Sequence, residues 1–283
     1  MQVAPLFRLL AFMEQVAMYN AANWGLAVIN DATSVHINGT VTGTRLNSFL
    51  CPSCPAPSWN LLDTSLAVVA PGNNYFASVG SGMEYSGQQT ANPPNGIFQH
   101  LQTSGQVVGV RDITDGTTNT VAFGEWKTGT GLASTVTPDR DIVFVGSFPA
   151  GVSRTGAGTE IPINPTLSAG LPAWLNQCTA GLTNKPRAVK TPSLGQSWAF
   201  GHFGWSMGNL LVPPNAKAPN CSTNGADTIE APGQFGLRSF HPGGANALFC
   251  DGSVKFLKDS TSQTIVWALG SRAQGEIVSA DSY

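Results

Sequence analysis

Between residues 5 and 20, apolar side chains recur every third or fourth position, at Leu6, Leu9, Leu10, Met13, Val16 and Ala17. That is the period of a helix with one buried face, and it predicts a continuous N-terminal helix. The segment opens without an N-cap residue, as though something upstream had been removed. From about residue 27 to 101 the pattern shortens to strand-like runs broken by Gly, Pro, Asn and Ser. The stretch DITDGTTNTVAFGEW (112–126) has a turn at Asp115-Gly116, followed by a Thr/Asn run that caps a short helix or enters a strand. Residues 127–200 are the least patterned and read as a loop-rich insertion on the same core. Near the C-terminus, apolar runs at 245–250 and 253–257 flank Asp251-Gly252. Such a pair predicts a two-residue hairpin turn of type I′, which takes positive φ twice. Residues 262–269 return to helical spacing at Ile265, Val266 and Leu269, stopped by Gly270. No repeat of 20–50 residues is visible.

Composition narrows the class. The chain has 283 residues, with 14 Lys+Arg against 16 Asp+Glu, so 11% of it is charged. An ordinary domain carries about 25%. A hydrophobic content of 42% is enough to build a core, and a net charge of −2 gives no footprint for nucleic acid. No apolar run reaches the ~18 residues of a membrane span. So neutral a surface favours association between copies.

The five cysteines are Cys51 and Cys54, in a C-x2-C, and Cys178, Cys221 and Cys250. A zinc site usually needs a second such pair, and the four histidines His36, His100, His202 and His241 are scattered. A redox C-x2-C is conceivable, but CPSCP lacks a βαβ context. A Cys178–Cys221 disulfide is the preferred structural reading, restraining a Pro/Gly/Asn-rich loop in an oxidising compartment. Sequons at Asn38 and Asn220 are glycosylation candidates compatible with extracellular exposure.

Several motifs, in order, carry a resemblance. They are LLAFMEQVAMYN (9–20), FLCPSCP (49–55), NGIF (95–98), DITDGTTNTVAFGEW (112–126) and PPNAKAPNC (213–221). SFHPGGANALFCDGSVKFL (239–257) and the tail 267–283 complete the set. The 239–257 stretch holds His241, nine residues, then Asp251-Gly252, and looks like the H-x9-D-G signature of a planctomycete-type family of prepilin-like proteins of unknown function. The resemblance implies an α+β fold: a pilin-like N-terminal helix on an antiparallel sheet, with long Gly/Pro/Asn-rich loops and a C-terminal hairpin. It also implies one domain over 1–283, made of the helix (1–26), strands and loops (27–126), the insertion (127–235), and the hairpin, helix and tail (236–283). Such families usually begin with a prepilin leader and a long apolar helix, neither of which this sequence shows. Cys54 also stands where they more often have an acidic residue.

By that resemblance the chain is an exported, non-enzymatic subunit of an extracellular filament or pseudopilus. Its partners are copies of itself, joined by strand addition through residues 275–283 or the stretch before Leu6, with glycans as a further class. A secreted serine esterase is the alternative, because Gly204-Trp205-Ser206-Met207-Gly208 is a G-x-S-x-G string. Ser206 would be the nucleophile, with Asp227 or Glu230 as acid and His241 as base. Two prolines follow at 213–214, against the helix such an elbow needs. Asp112, Asp115 and Asn119 could ligate a structural calcium, though turn formation is the simpler reading. No other cofactor is implied. His241 and Asp251 flank a strand roughly 17 Å long, so they should anchor a loop and a turn rather than meet. Seven Trp and 14 Phe are dispersed, as core packing would have them.

Overall fold

The computed structural model describes residues 3–26, 32–55, 61–63, 68–84, 93–100, 107–131, 136–148, 170–184, 194–223 and 231–283. Its elements run α1 (Pro5–Leu9), α2 (Val16–Ala21), α3 (Ala32–Thr42), β1 (Leu61–Asp63), β2 (Val68–Val69), β3 (Tyr75–Ser78), β4 (Val121–Glu125) and β5 (Ile142–Phe144). They continue with α4 (Gly170–Asn184), β6 (Met207–Gly208), β7 (Asn220–Ser222), β8 (Gly233–Gln234), β9 (Gly244–Phe249), β10 (Val254–Lys258) and α5 (Gln263–Gly270). The fold mixes few helices with short strands.

The principal sheet has the order β10-β9-β4-β3-β6. Its pairs are antiparallel except β3 with β6, so the sheet is mixed rather than antiparallel. A second mixed sheet runs β5-β7-β8, and β1 pairs with β2. One face of the principal sheet packs on the largest core, with Phe76, Trp126, Phe200, Phe235, Phe249 and Leu257 buried there. Gly124 lies on that face because a Cβ would strike the Phe76 ring and stand 2.7 Å from Leu237 Cδ2. Phe123 and Glu125 therefore point to the opposite face. That face is partly covered by the N-terminal segment and leaves an apolar groove of about 520 Å³, lined by Leu6, Leu9, Met13, Phe123, Leu248 and Val254 among others.

The expected continuous helix over 5–20 is broken. α1 passes through a 3-10 turn at Leu10–Phe12 and ends at Glu14, whose φ is 58°. The Gln15 N–H reaches the Leu10 carbonyl at 3.0 Å, a six-to-one closure of the kind that caps helices. Leu6, Phe7 and Leu10 are buried against Phe49 and Trp198, whereas Val16 and Ala17 are exposed. The apolar period continues past Glu14, yet no residue of α2 is fully buried.

The hairpin forms as expected, but its loop has three residues. Phe249 N–H donates to Ser253 O, and Gly252 N–H to Phe249 O. Only Gly252, at φ 87°, takes the left-handed conformation, giving a type I turn closed by a glycine bulge instead of type I′. α5 starts at Ser262, whose side chain accepts from Ile265 N–H. Inside the 127–200 stretch, read as loops, lies α4, which buries Leu171, Trp174 and Cys178. Cys178 is bridged to Cys221 on β7, with Cα atoms 5.7 Å apart; the disulfide ties a helix to a strand.

Much of the interior is held by asparagine rather than by regular pairing. Asn209, fully buried, donates to the Gly82 and Gly233 carbonyls at 2.7 and 2.8 Å and accepts from Phe235 N–H at 2.9 Å. Uncharged amides satisfy buried backbone groups here, which lets the fold proceed with few charged residues.

Candidate functional site

Three of the sequence motifs supply one chemically active residue each to a single place. Cys51 follows a 3-10 turn at Asn47–Phe49. Its N–H donates to Asn74 Oδ1 at 3.0 Å, and Asn74 Nδ2 donates to the Trp126 carbonyl at 2.9 Å, fastening the CPSC segment to the end of β4. Glu125 is the last residue of β4 and sits across from Tyr75 of β3. His241 stands just before β9, its N–H donating to Ser239 Oγ at 3.0 Å.

Cys51 Sγ lies 3.7 Å from His241 Nε2, and the same nitrogen lies 3.4 Å from Glu125 Oε1. All three ligand atoms fall within 4.8 Å of one another. The other carboxylate oxygen, Oε2, accepts from Asn246 N–H at 3.1 Å and from Asn246 Nδ2 at 3.3 Å. Cys51 and Glu125 are buried, while the His241 side chain is 36% exposed. Burial pushes the Cys51 thiol up, and Glu125 adds to the rise. The Tyr75 phenol is pushed up to about 12 by burial and then by the charges of Cys51 and Glu125.

This is not a relay of the cysteine-hydrolase kind. In such a relay the carboxylate holds one ring nitrogen and the nucleophile meets the other, whereas here both face Nε2. A thiol kept protonated by burial is also a poor nucleophile. A sulfur, an imidazole nitrogen and a carboxylate oxygen turned toward one another are instead a donor set able to hold a metal ion.

The other sequence candidates fall elsewhere. Ser206 is fully buried, and its hydroxyl donates to the Phe200 carbonyl. A two-residue strand, not a helix, follows it, so the nucleophile-elbow geometry is not formed there. Asp227 and Glu230 lie outside the described residues. Asp112 accepts from Gly109 N–H at 2.8 Å, and Asp115 accepts from Gly275 N–H at 2.7 Å and Gln274 N–H at 2.8 Å. The Asn119 N–H bonds the Gly116 carbonyl. Among the described residues, the cluster of metal-ligating side chains includes none of these three. Asp251 accepts from Ser253 within its turn, away from His241.

Cys51 and Cys54 are both free thiols, as is Cys250; Cys54 Sγ sits 3.3 Å from Thr128 Oγ1 while Cys51 faces His241. The sequon asparagines Asn38 and Asn220 are 2% and 0% exposed. Asn38 exchanges hydrogen bonds with the Asn23 backbone, and Asn220 Oδ1 accepts from Gly236 N–H. Neither amide is open to a glycan in the folded chain.

One family model matches residues 2–264, described as "Protein of unknown function (DUF1559)". The chain belongs to this family. No curated protein and no solved structure matches it. Cys51, Glu125 and His241 of this DUF1559 chain all fall inside the matched span. The cluster itself was not read from the sequence, although each member lies in a motif that stood out: FLCPSCP (49–55), DITDGTTNTVAFGEW (112–126) and SFHPGGANALFCDGSVKFL (239–257). The available signal was one chemically active residue beside Gly or Pro in each of three separate motifs, with nothing to say that they meet.

Proposed function

We propose that this DUF1559 protein is an exported structural subunit, without catalysis, that assembles with copies of itself into an extracellular filament or pseudopilus. The observation that carries the reading is the outer edge of β10. It ends the principal sheet, and among the described residues no strand covers it. Val254 and Phe256 are 65% and 41% exposed on it. Both share a face with their β9 partners Leu248 and Asn246, which line the apolar groove. A polar main-chain edge beside apolar side chains is a template for a strand from a second copy.

Soluble proteins commonly guard such edges with lysine. Lys255 does not serve that purpose, because its ammonium donates to the Thr118 carbonyl and Tyr283 hydroxyl and lies over the Phe249 ring. Lys258 alone on the strand is left to repel. Export is supported by the Cys178–Cys221 disulfide, since reducing compartments do not sustain such bonds. No described helix is long and apolar enough to cross a membrane.

The terminal segments are poor strand donors, because both are bound to their own chain. Val3 bridges Phe200, and Ala4 N–H donates to the Ala199 carbonyl. At the other end Asp115 holds Gln274 and Gly275, and Tyr283 stacks on Phe249. Assembly is therefore assigned to the β10 edge. Sedimentation velocity with negative-stain microscopy tests it. The wild type should grow with concentration, while a Val254→Lys/Phe256→Lys variant of unchanged Tm should stay monomeric. A wild type that stays monomeric at every concentration of protein, salt and calcium would overturn the reading.

A further inference from the structure

We infer that Cys51, Glu125 and His241 form a mononuclear site for a divalent transition-metal ion of the zinc type, with the fourth position left to water or a small ligand. Tetrahedral zinc holds sulfur at about 2.3 Å, imidazole nitrogen at about 2.0–2.1 Å and carboxylate oxygen at about 2.0–2.2 Å. Two ligands at those lengths stand ~3.6 Å apart for sulfur and nitrogen, and ~3.4 Å apart for nitrogen and oxygen. The observed separations are 3.7 Å from Cys51 Sγ to His241 Nε2 and 3.4 Å from Nε2 to Glu125 Oε1. These match two edges of a tetrahedron around one ion, and all three ligand atoms lie within 4.8 Å of one another. A hydrogen bond between His241 and Glu125 would bring nitrogen and oxygen to about 2.8–3.0 Å, closer than the 3.4 Å observed.

The surroundings fit a metal site as well. Glu125 is 3% exposed at its side chain, and among the described residues its ion-pair partner is His241. Burying a carboxylate next to a thiol is costly unless a cation or a coordinated metal offsets it. Its second oxygen is fixed by two Asn246 donors, which leaves Oε1 free to ligate. The Cys51 backbone is clamped by Asn74. Hydrogen bonds of this kind to a ligating residue fix its orientation in metal sites. The exposed side of His241 supplies an entry path. On binding, the Cys51 thiol gives its proton to solvent and the sulfur electron pair to the ion; nothing is oxidised or reduced. The ion would join segments around residues 51, 125 and 241, which are distant in the chain.

The test uses the whole chain, stripped with a chelator and titrated with zinc ion by calorimetry, then with cobalt(II) by absorption. One ion should bind per chain, raise Tm, and in the cobalt form show tetrahedral visible bands with a thiolate-to-cobalt charge-transfer band. Cys51→Ser and His241→Ala should each abolish the stoichiometric binding. Asn246→Ala should weaken it about 10- to 100-fold, and Cys54→Ala should leave it unchanged. His241 is partly exposed, so its variant keeps the fold and remains informative if Cys51→Ser does not. Absent stoichiometric binding, a cobalt spectrum without the thiolate band, or binding indifferent to His241→Ala would each overturn the assignment.

Discussion

Removing the disulfide probes the fold at the point where its energetics are most readily worked out. Cys178 and Cys221 are both fully buried and lie 43 positions apart. The chain-entropy relation for a loop of that length gives roughly 4 kcal/mol of stability at 25 °C from restricting the unfolded chain. Replacing both by alanine also empties two sulfur sites beside Trp174 and Val143, adding up to about 1 kcal/mol each. Urea denaturation of Cys178→Ala/Cys221→Ala should therefore show a loss of about 4–6 kcal/mol. The m-value should rise, because the uncrosslinked chain exposes more surface on unfolding. The single Cys178→Ala variant should lose most of the same amount, since it already breaks the link. A double variant that lost less than about 1 kcal/mol at unchanged m would refute the reasoning. It would show that α4 and β7 are held together by packing alone.

Gly124→Ala should cost about 1–3 kcal/mol, measured as a fall in Tm, because its Cβ must displace the Phe76 ring and Leu237; an unchanged Tm would show that the sheet face is loosely packed. Cys250, whose thiol burial and the nearby Asp251 push up to about 11, should react with iodoacetamide at pH 8 about 100-fold more slowly than an ordinary thiol, as read by peptide mass spectrometry. Asp251 is held below the usual carboxylate range by the hydroxyl and N–H of Ser253. A lowered folded pKa means the contribution is present above the unfolded value near 4 and is lost as pH falls through the folded one. Stability measured from pH 5 downward should thus fall more for the wild type than for Asp251→Asn.

What could be read in advance was local. The hairpin around Asp251-Gly252 and α5 with its Ser262 cap depend on neighbours in sequence, and both are found. The turn type was not legible, because an Asp-Gly pair suits both a type I′ turn and a type I turn followed by a glycine bulge. The helix over 5–20 stops at Glu14, past Leu10, the last of its residues buried in the cluster with Trp198, which periodicity alone cannot show. α4 was hidden by its Pro and two Gly, although proline is tolerated in a first turn. The spacing of Leu171, Trp174 and Cys178 was the signal that outweighed them. The disulfide was legible as the pairing that restrains a Pro/Gly/Asn-rich stretch, and Cys178 and Cys221 are so joined. The Cys51–Glu125–His241 cluster was not, because its members meet only through the pairing of β3, β4 and β9 and the Asn74 clamp, all contacts between distant parts of the chain.

Self-assembly through the open sheet edge would shield the β10 amides, and hydrogen exchange on that edge reads this. Exchange of the β10 segment should be followed from dilute to concentrated protein, with β3, paired on both sides within the sheet, as reference. Protection at Val254–Lys258 should rise in step with particle mass, while β3 stays constant. Particles that grow with no change in β10 exchange, or a chain that remains monomeric with β10 exchanging freely throughout, would contradict it.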